Sequence, residues 1–344
     1  MSSKNESLSP EAMNKIKHVI LSGGVGSRLW PLSRKSMPKQ YLEIFDKKSL
    51  FEMTAERNSG FTENVIVVGN LENDNQSNVL LSKLGIQYTN IIETTPRNTA
   101  AAIAFAAFLS NPEDILVVTP SDHIIEGEKF YAKSMQKAIE LAKENYIVTF
   151  GVVPTKPETG YGYIEFSGDD VVSFREKPNS VTAKEFIAKG NFLWNSGMFC
   201  FKAGVLLEEL KLHSLEVYEK SKLAIENSKN GILDKQLSLE IPSISIDYAV
   251  MERSKKIKVV PATFKWSDLG SFESVYDYLK SIGHAVDNYG NMVIGTSNYT
   301  AFLGLENTIF VHTKNANLIL HKDQSQDVKT LYNQLEELNS ELLN

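Results

Sequence analysis

Short, unbroken apolar runs alternate along the first half of the chain with longer stretches of helical spacing. The runs Val19 to Leu21, Val65 to Val68, Ile91 to Ile92 and Ile115 to Val118 contain no polar position, and Ile147 to Phe150 contains only Thr149. That is the pattern of strands covered on both faces. Helical segments fall between them. One begins after Ser49 with a capping box, Ser49 to Glu52, and another ends at Gly85, a residue suited to the left-handed cap. The apolar stretch Ala100 to Phe108 reads as a buried helix with Asn98 as its N-cap. The alternation predicts an α/β chain with a mostly parallel sheet covered by helices on both faces.

The texture changes near His284. Beyond it come short β-like runs, Asn291 to Ile294, Thr308 to His312 and Leu318 to His321, which predict a small β-rich unit. In the last stretch Val328, Leu331, Leu335, Leu338 and Leu342 recur at alternating three- and four-residue steps, giving a terminal helix with one apolar face. The stripe is too short for a coiled coil, so it either docks onto its own domain or meets another subunit. The expected division is a mobile N-terminal tail (1–15), a large α/β domain (16–283) and a small β-rich domain with a C-terminal helix (284–344).

Composition narrows the partners. A length of 344 residues suits roughly two domains at ~150 residues each. The 36 basic and 42 acidic residues give a net charge of −6, with no long basic run. Nucleic acid and anionic membranes are therefore poor partners. The single cysteine, Cys200, has no partner for an internal disulfide. The polar N-terminus lacks the ~7–15 apolar residues of a signal peptide, and no apolar stretch approaches the ~20 needed to span a bilayer. A cytoplasmic location is expected.

The candidate chemistry lies in His18 to Gln40, HVILSGGVGSRLWPLSRKSMPKQ. An apolar strand runs into a loop with Gly23, Gly24 and Gly26, whose missing Cβ atoms allow positive φ and close approach of N–H groups to anionic oxygens. Arg28 adds a planar cationic fork and Lys39 a point charge, both suited to a triphosphate. A dinucleotide fingerprint is excluded, because Leu29 stands at the third glycine position and Pro31 and Pro38 interrupt a helix. No Walker P-loop string occurs. Far along the chain, Asp122 follows a buried strand and emerges on the same rim, while Asp268 lies between a strand-like run and a helix starting near Ser271. Either aspartate could instead cap a helix or a turn. Glu93 closes the Ile91-Ile92 run and is either a surface glutamate or an acceptor aimed into the rim.

The string Gly-Gly-x-Gly-x-Arg-Leu-x-Pro-Leu-Ser-Arg, followed by Pro-Lys-Gln, resembles the signature of the sugar-1-phosphate nucleotidylyltransferases. It is most similar to their mannose-1-phosphate guanylyltransferase branch. ETTPRNTAAAI, TPSDHII, TGYGYIEF, FREKP, WNSGMFCF and FKWSDLGSF extend the likeness, in order, to about residue 280.

The resemblance implies a Rossmann-like nucleotidyltransferase sheet with a β-helix-like C-terminal domain, GTP and mannose 1-phosphate as substrates, and GDP-mannose and pyrophosphate as products. It implies Mg²⁺ held by Asp122 and Asp268, with Arg28 on the β and γ phosphates and Lys39 on the α-phosphate. Leu21, Gly23, Gly24, Gly26, Ser27 and Ser121 would line the nucleotide. By the chemistry of the guanine edge, Glu93 would accept its two adjacent donors, with Arg97 or Asn98 completing the site, and the resemblance places Gly162, Glu176, Lys177 and Asn195 toward the sugar phosphate. A homodimer through the C-terminal region is implied as well. Other readings are guanylyl transfer to a different sugar 1-phosphate, such as a heptose or another hexose, or a catalytically silent regulatory subunit. Retention of Arg28, Lys39, Asp122 and Asp268 speaks for activity. Two-domain relatives add an isomerase module. With about sixty residues after His284 and six scattered histidines, isomerase activity is not expected.

Overall fold

The computed structural model describes residues 15–43 and 48–344. The tail expected over residues 1–15 lies outside the described residues except for Lys15. Strand β1 (Ile16–Ser22) leads through the glycine loop to α1 (Leu50–Asn58), β2 (Asn64–Asn70), α2 (Asp74–Lys83), β3 (Tyr88–Glu93), α3 (Asn98–Phe108) and β4 (Ile115–Pro120). A short β5 (Ile124–Glu126) precedes α4 (Glu128–Lys143), β6 (Ile147–Val152), β7 (Tyr163–Ser167), β8 (Asp170–Arg175), α5 (Ser180–Lys189) and β9 (Phe192–Lys202). Helices α6 (Ala203–His213), α7 (Leu215–Glu226) and α8 (Lys235–Glu240) are followed by β10 (Ile257–Pro261), β11 (Lys265–Ser267) and α9 (Phe272–Ser281). Strands β12 (Met292–Ile294), β13 (Thr308–His312) and β14 (Asn317–His321) and helix α10 (Val328–Glu337) complete the order.

The main sheet has the order β3-β2-β1-β4-β9-β6-β10-β8-β7. Strand β1 runs parallel to β2 and β4, and β2 parallel to β3. Their carboxyl ends therefore share one rim, where Leu21 is level with Val68 and Pro120, and Asn70 with Glu93. Strand β9 enters antiparallel between β4 and β6 and carries the WNSG segment into the same sheet.

The uninterrupted apolar runs have the reason expected of them. Val19, Ile66, Val68, Leu116 and Val118 face a core shared with α3, α6 and α7. Their neighbours Ile20, Val65 and Val67 pack on α1 and α2, and Ile115 and Val117 pack on α4. Successive residues of each strand are thus apolar because both faces are covered.

Local signals fare unevenly. Ser49 caps α1 in a complete capping box, and Gly85 takes φ 66° just past α2. Asn98 is not the expected N-cap of α3. It holds φ 69°, and its side chain accepts only the next N–H, from Thr99, whereas a cap bonds two or three residues on. The segment before a short π-helix (Asp247–Met251) closes that helix end instead, with Ala100 N–H donating to the Ile244 carbonyl and the Thr99 hydroxyl accepting from Ile246 N–H.

The three C-terminal strands and α10 share a core with α9 and with Leu29 and Trp30 of the glycine loop. Burying side chains of this size stabilises by roughly 1.5–3 kcal/mol each, so the C-terminal unit braces the loop. Trp30 Nε1 also donates to the Leu342 carbonyl at 3.1 Å, and Lys35 N–H to the Leu343 carbonyl at 2.8 Å. Four members of the predicted stripe, Val328, Leu331, Leu335 and Leu342, pack into this core, so the stripe docks within its own chain. Leu338 does not join them. Helix α10 ends at Glu337, which leaves Leu338 77 % exposed.

Candidate active site

The glycine loop starts where β1 leaves the sheet. Gly23 and Gly24 are exposed, and a Cβ on either would meet no protein atom within 4 Å. The left-handed backbone expected of all three glycines occurs only at Gly26, with φ 78°. There a Cβ would also lie 2.5 Å from the Cβ of Lys39. Ser27 to Leu29 form a single 3₁₀ turn that buries Leu29 and leaves Arg28 exposed. The rest of the loop folds back over itself. The Ser33 hydroxyl donates to the Gly26 carbonyl at 2.5 Å, and Lys39 N–H donates to the Val25 carbonyl at 3.1 Å. This places Lys39, only 4 % exposed, directly beneath Gly26.

Lys39 is the meeting point of the acidic residues. Its ammonium donates to Asp122 Oδ2 at 2.9 Å and to the backbone carbonyl of Asp268. Ser121, buried, continues the β1–β4 pairing through its N–H to the Leu21 carbonyl at 3.0 Å, which fixes Asp122 one residue beyond the rim. Burial alone would raise the Asp122 pKa, but the charges of Lys39 and His123 and the Lys39 hydrogen bond outweigh it and hold the carboxyl below its ordinary value. Asp268 is not a helix cap, a role filled for α9 by Ser271. Its Oδ1 accepts from the Tyr161 hydroxyl at 2.6 Å and from Gly270 N–H at 3.0 Å. Leu269, fully buried, takes φ 45°, a conformation a bulky side chain adopts only when its surroundings impose it.

Asp122 through its carboxylate and Asp268 through its main-chain carbonyl thus meet at one cation, the lysine ammonium. Carboxylate oxygens are the donors a hard divalent cation takes together with phosphate oxygens. Among the described residues, no group of three or more His, Cys, Asp or Glu could hold a metal ion. His123, which lines no metal cluster, accepts from Trp266 Nε1 at 3.2 Å.

Glu93 lies at the end of β3 on the same rim and is 5 % exposed, so it is not a surface glutamate. Burial pushes its carboxyl up to about 7, against a partial opposing effect of the Arg97 N–H bonded to it at 3.3 Å. Arg97 spends its Nε on the Ile241 carbonyl at 2.6 Å. One consequence is measurable. Between its ordinary pKa of 4.5 and about 7, the folded chain keeps a proton that the unfolded chain releases. Stability therefore falls as pH rises through that window, by on the order of 3 kcal/mol once it is complete. Glu93→Gln, which mimics the neutral acid, is expected to raise the thermal midpoint at pH 8 and to match the parent at pH 4. Equal midpoints at pH 8 would remove the buried-acid reading.

The residues expected to face the sugar phosphate form a second cluster. A Cβ on Gly162 would lie 2.6 Å from Glu176 Oε2 and 3.5 Å from the Asn195 Cβ, so the glycine lets those two side chains share its space. Lys177 holds φ 42° and pairs with Glu176 at 2.7 Å, with its side chain 62 % exposed. Asn195 is oriented from three sides. Its Oδ1 accepts from the Thr149 hydroxyl and Gly197 N–H, and its Nδ2 donates to Asp247 Oδ1 at 3.0 Å.

The nucleotidyl transferase family matches residues 17–284, and the MannoseP isomerase/GMP-like beta-helix domain matches residues 284–335. The mannose-1-phosphate guanylyltransferase RfbM of Salmonella typhimurium is 38% identical over 345 residues, spanning 92% of this chain and 72% of that protein. The chain belongs to the mannose-1-phosphate guanylyltransferase family. A Thermus thermophilus crystal structure titled mannose-1-phosphate geranyltransferase is similar at TM-score 0.81 and 27% identity, over 94% of this chain and 99% of that one. One from Helicobacter pylori titled mannose-6-phosphate isomerase reaches TM-score 0.68 and 38% identity, over 74% of this chain and 99% of that one.

Two side chains outside the sequence expectations join these residues in a guanylyltransferase-family chain. Tyr161 lies in the TGYGYIEF string, and its hydroxyl reaches Asp268. An aromatic residue between two glycines was the available signal. Asp247 fell in no motif. Its role against Asn195 arises only from folding, and burial followed by the charge of Glu176 pushes its carboxyl up to about 6.

Proposed function

We propose that this chain transfers GMP from GTP to α-D-mannose 1-phosphate, giving GDP-mannose and pyrophosphate. The observation that carries the reading is the convergence of Lys39 with Asp122 and Asp268 beneath the glycine loop. Leu21, Gly23, Gly24, Gly26, Ser27 and Ser121 would line the triphosphate. Glu93, ionised, would accept the guanine N1–H and amine, with Arg97 and Asn98 beside it. Gly162, Glu176, Lys177 and Asn195 would hold the sugar phosphate.

A phosphate oxygen of the sugar 1-phosphate attacks the α-phosphorus in line. The bond from that phosphorus to the bridging oxygen breaks, and its electron pair leaves with pyrophosphate. The attacking phosphate is already ionised, so no base has to remove a proton and no protein nucleophile is needed. Catalysis then reduces to positioning and charge stabilisation. Arg28 would hold the β and γ phosphates and Lys39 the α-phosphate. Asp122 and Asp268 would hold Mg²⁺, which when bound supplies further neutralisation of phosphate charge.

The reading assigns residues 16–283 to catalysis and 284–344 to the small β-rich domain. It includes a cytoplasmic location and a homodimer through the C-terminal region, where Leu303, Ile319 and Leu338 are exposed apolar side chains that such a contact would cover. No helix among the described residues is long and apolar enough to cross a membrane.

The test is pyrophosphate release with GTP, ATP and UTP against mannose, glucose and heptose 1-phosphates. Preference for GTP with mannose 1-phosphate is expected. Preference for heptose or another hexose would move the substrate assignment, and no release from any pair would favour a silent subunit. Conversion of fructose 6-phosphate to mannose 6-phosphate, followed separately without nucleotide, tests the activity named in the Helicobacter pylori title.

A further inference from the structure

We propose that Tyr161 is a positioning residue that fixes the Asp268 carboxylate for the cation of the bound nucleotide. The inference rests on the reading of Asp122 and Asp268 as the residues that hold that cation.

Two donors from separate segments, the Tyr161 hydroxyl and the Gly270 N–H, both bind Asp268 Oδ1. With Oδ1 occupied, Oδ2 is the oxygen left for a cation. A Cβ on Gly270 would lie 2.5 Å from that Oδ2, so the glycine keeps its surroundings clear. The Tyr161 ring is itself held. Trp194 and Trp266 meet it edge-on, with centroids at 5.2 Å and 5.4 Å. Trp266 in turn donates from Nε1 to His123, the residue after Asp122, and Trp194 precedes Asn195. One chain of contacts therefore links the neighbour of Asp122, the Asp268 carboxylate and the sugar-side strand. An outer hydrogen bond that orients a ligating carboxylate is typically worth ~10–100-fold in metal affinity.

The experiment compares GTP binding, by calorimetry without sugar phosphate, in Mg²⁺ and in EDTA. The full chain is tested as parent, Tyr161→Phe, Tyr163→Phe and Asp268→Ala, with thermal midpoints alongside. Tyr161→Phe keeps the ring packing and loses only the hydroxyl. It is expected to forfeit roughly tenfold of the gain that Mg²⁺ gives to GTP affinity, while binding in EDTA and the thermal midpoint stay at parent values. Tyr163, whose hydroxyl donates to the Glu158 carbonyl, serves as the control and should behave as the parent. A Tyr161→Phe ratio equal to the parent's, with Asp268→Ala impaired, would overturn the positioning role alone. A parent-like ratio in Asp268→Ala would overturn the cation-site reading and this proposal with it.

Discussion

Lys39→Ala is expected to lower the rate of GDP-mannose formation by on the order of 10²–10³, or ~3–4 kcal/mol of transition-state stabilisation. The size follows from where the ammonium lies. It is buried under the loop and bonded to both Asp122 and the Asp268 carbonyl, so water cannot replace it without rebuilding the site. Charge aimed at a reacting phosphate from a fixed, water-poor position acts with little reorganisation, which is where such groups contribute most. The substitution also leaves the Asp122 carboxylate without the neighbour that holds its pKa down. The loss is expected in kcat, with KM for mannose 1-phosphate close to the parent value, because Lys39 sits on the nucleotide side. Steady-state kinetics of a folded Lys39→Ala variant within threefold of the parent would deny Lys39 its role.

Gly26→Ala should damage both stability and rate. At φ 78° an alanine pays the left-handed penalty, and its Cβ would lie 2.5 Å from the Cβ of Lys39. Strain and overpacking together are worth roughly 2–4 kcal/mol of unfolding free energy. Relief requires Lys39 or the loop to shift, and a displacement of about 1 Å at a positioning group can cost ~10²-fold in rate. Gly24→Ala is the comparison, since its Cβ meets nothing within 4 Å and no positive φ is imposed there. Urea unfolding should separate the two variants clearly. Equal midpoints would mean that the loop accommodates the methyl group without strain.

The parts legible in the sequence were those set by burial. Val65 to Val68 and Ile115 to Val118 declared themselves as strands because helices cover both faces, leaving no polar position in the run. What a strand pairs with left no such trace. Strand β9 carries Asn195, Ser196 and Gly197 in its middle and reads as a motif, yet it joins β4 and β6 antiparallel and delivers Asn195 to Asp247 and Gly162. Asn98 failed as a cap because its helix end is closed by the distant residues Ile244 and Ile246, a tertiary solution no local signal reports. Leu338 kept the stripe's spacing but lay beyond the last helical turn. At the site, Asp122 and Asp268 could be named from their motifs. Lys39 could be named as well, but its bonds to both of them, and the tyrosine that holds one, appeared only once the chain was folded.

The most direct measurement is the joint appearance of GDP-mannose and pyrophosphate from GTP and mannose 1-phosphate, followed in the purified parent and in Asp122→Ala and Asp268→Ala. Both products are expected in equal amounts from the parent, with each substitution slowing them by on the order of 10² or more. Parent-like rates in both variants, or no GDP-mannose from the parent, would contradict a single site built around Lys39 and these two aspartates.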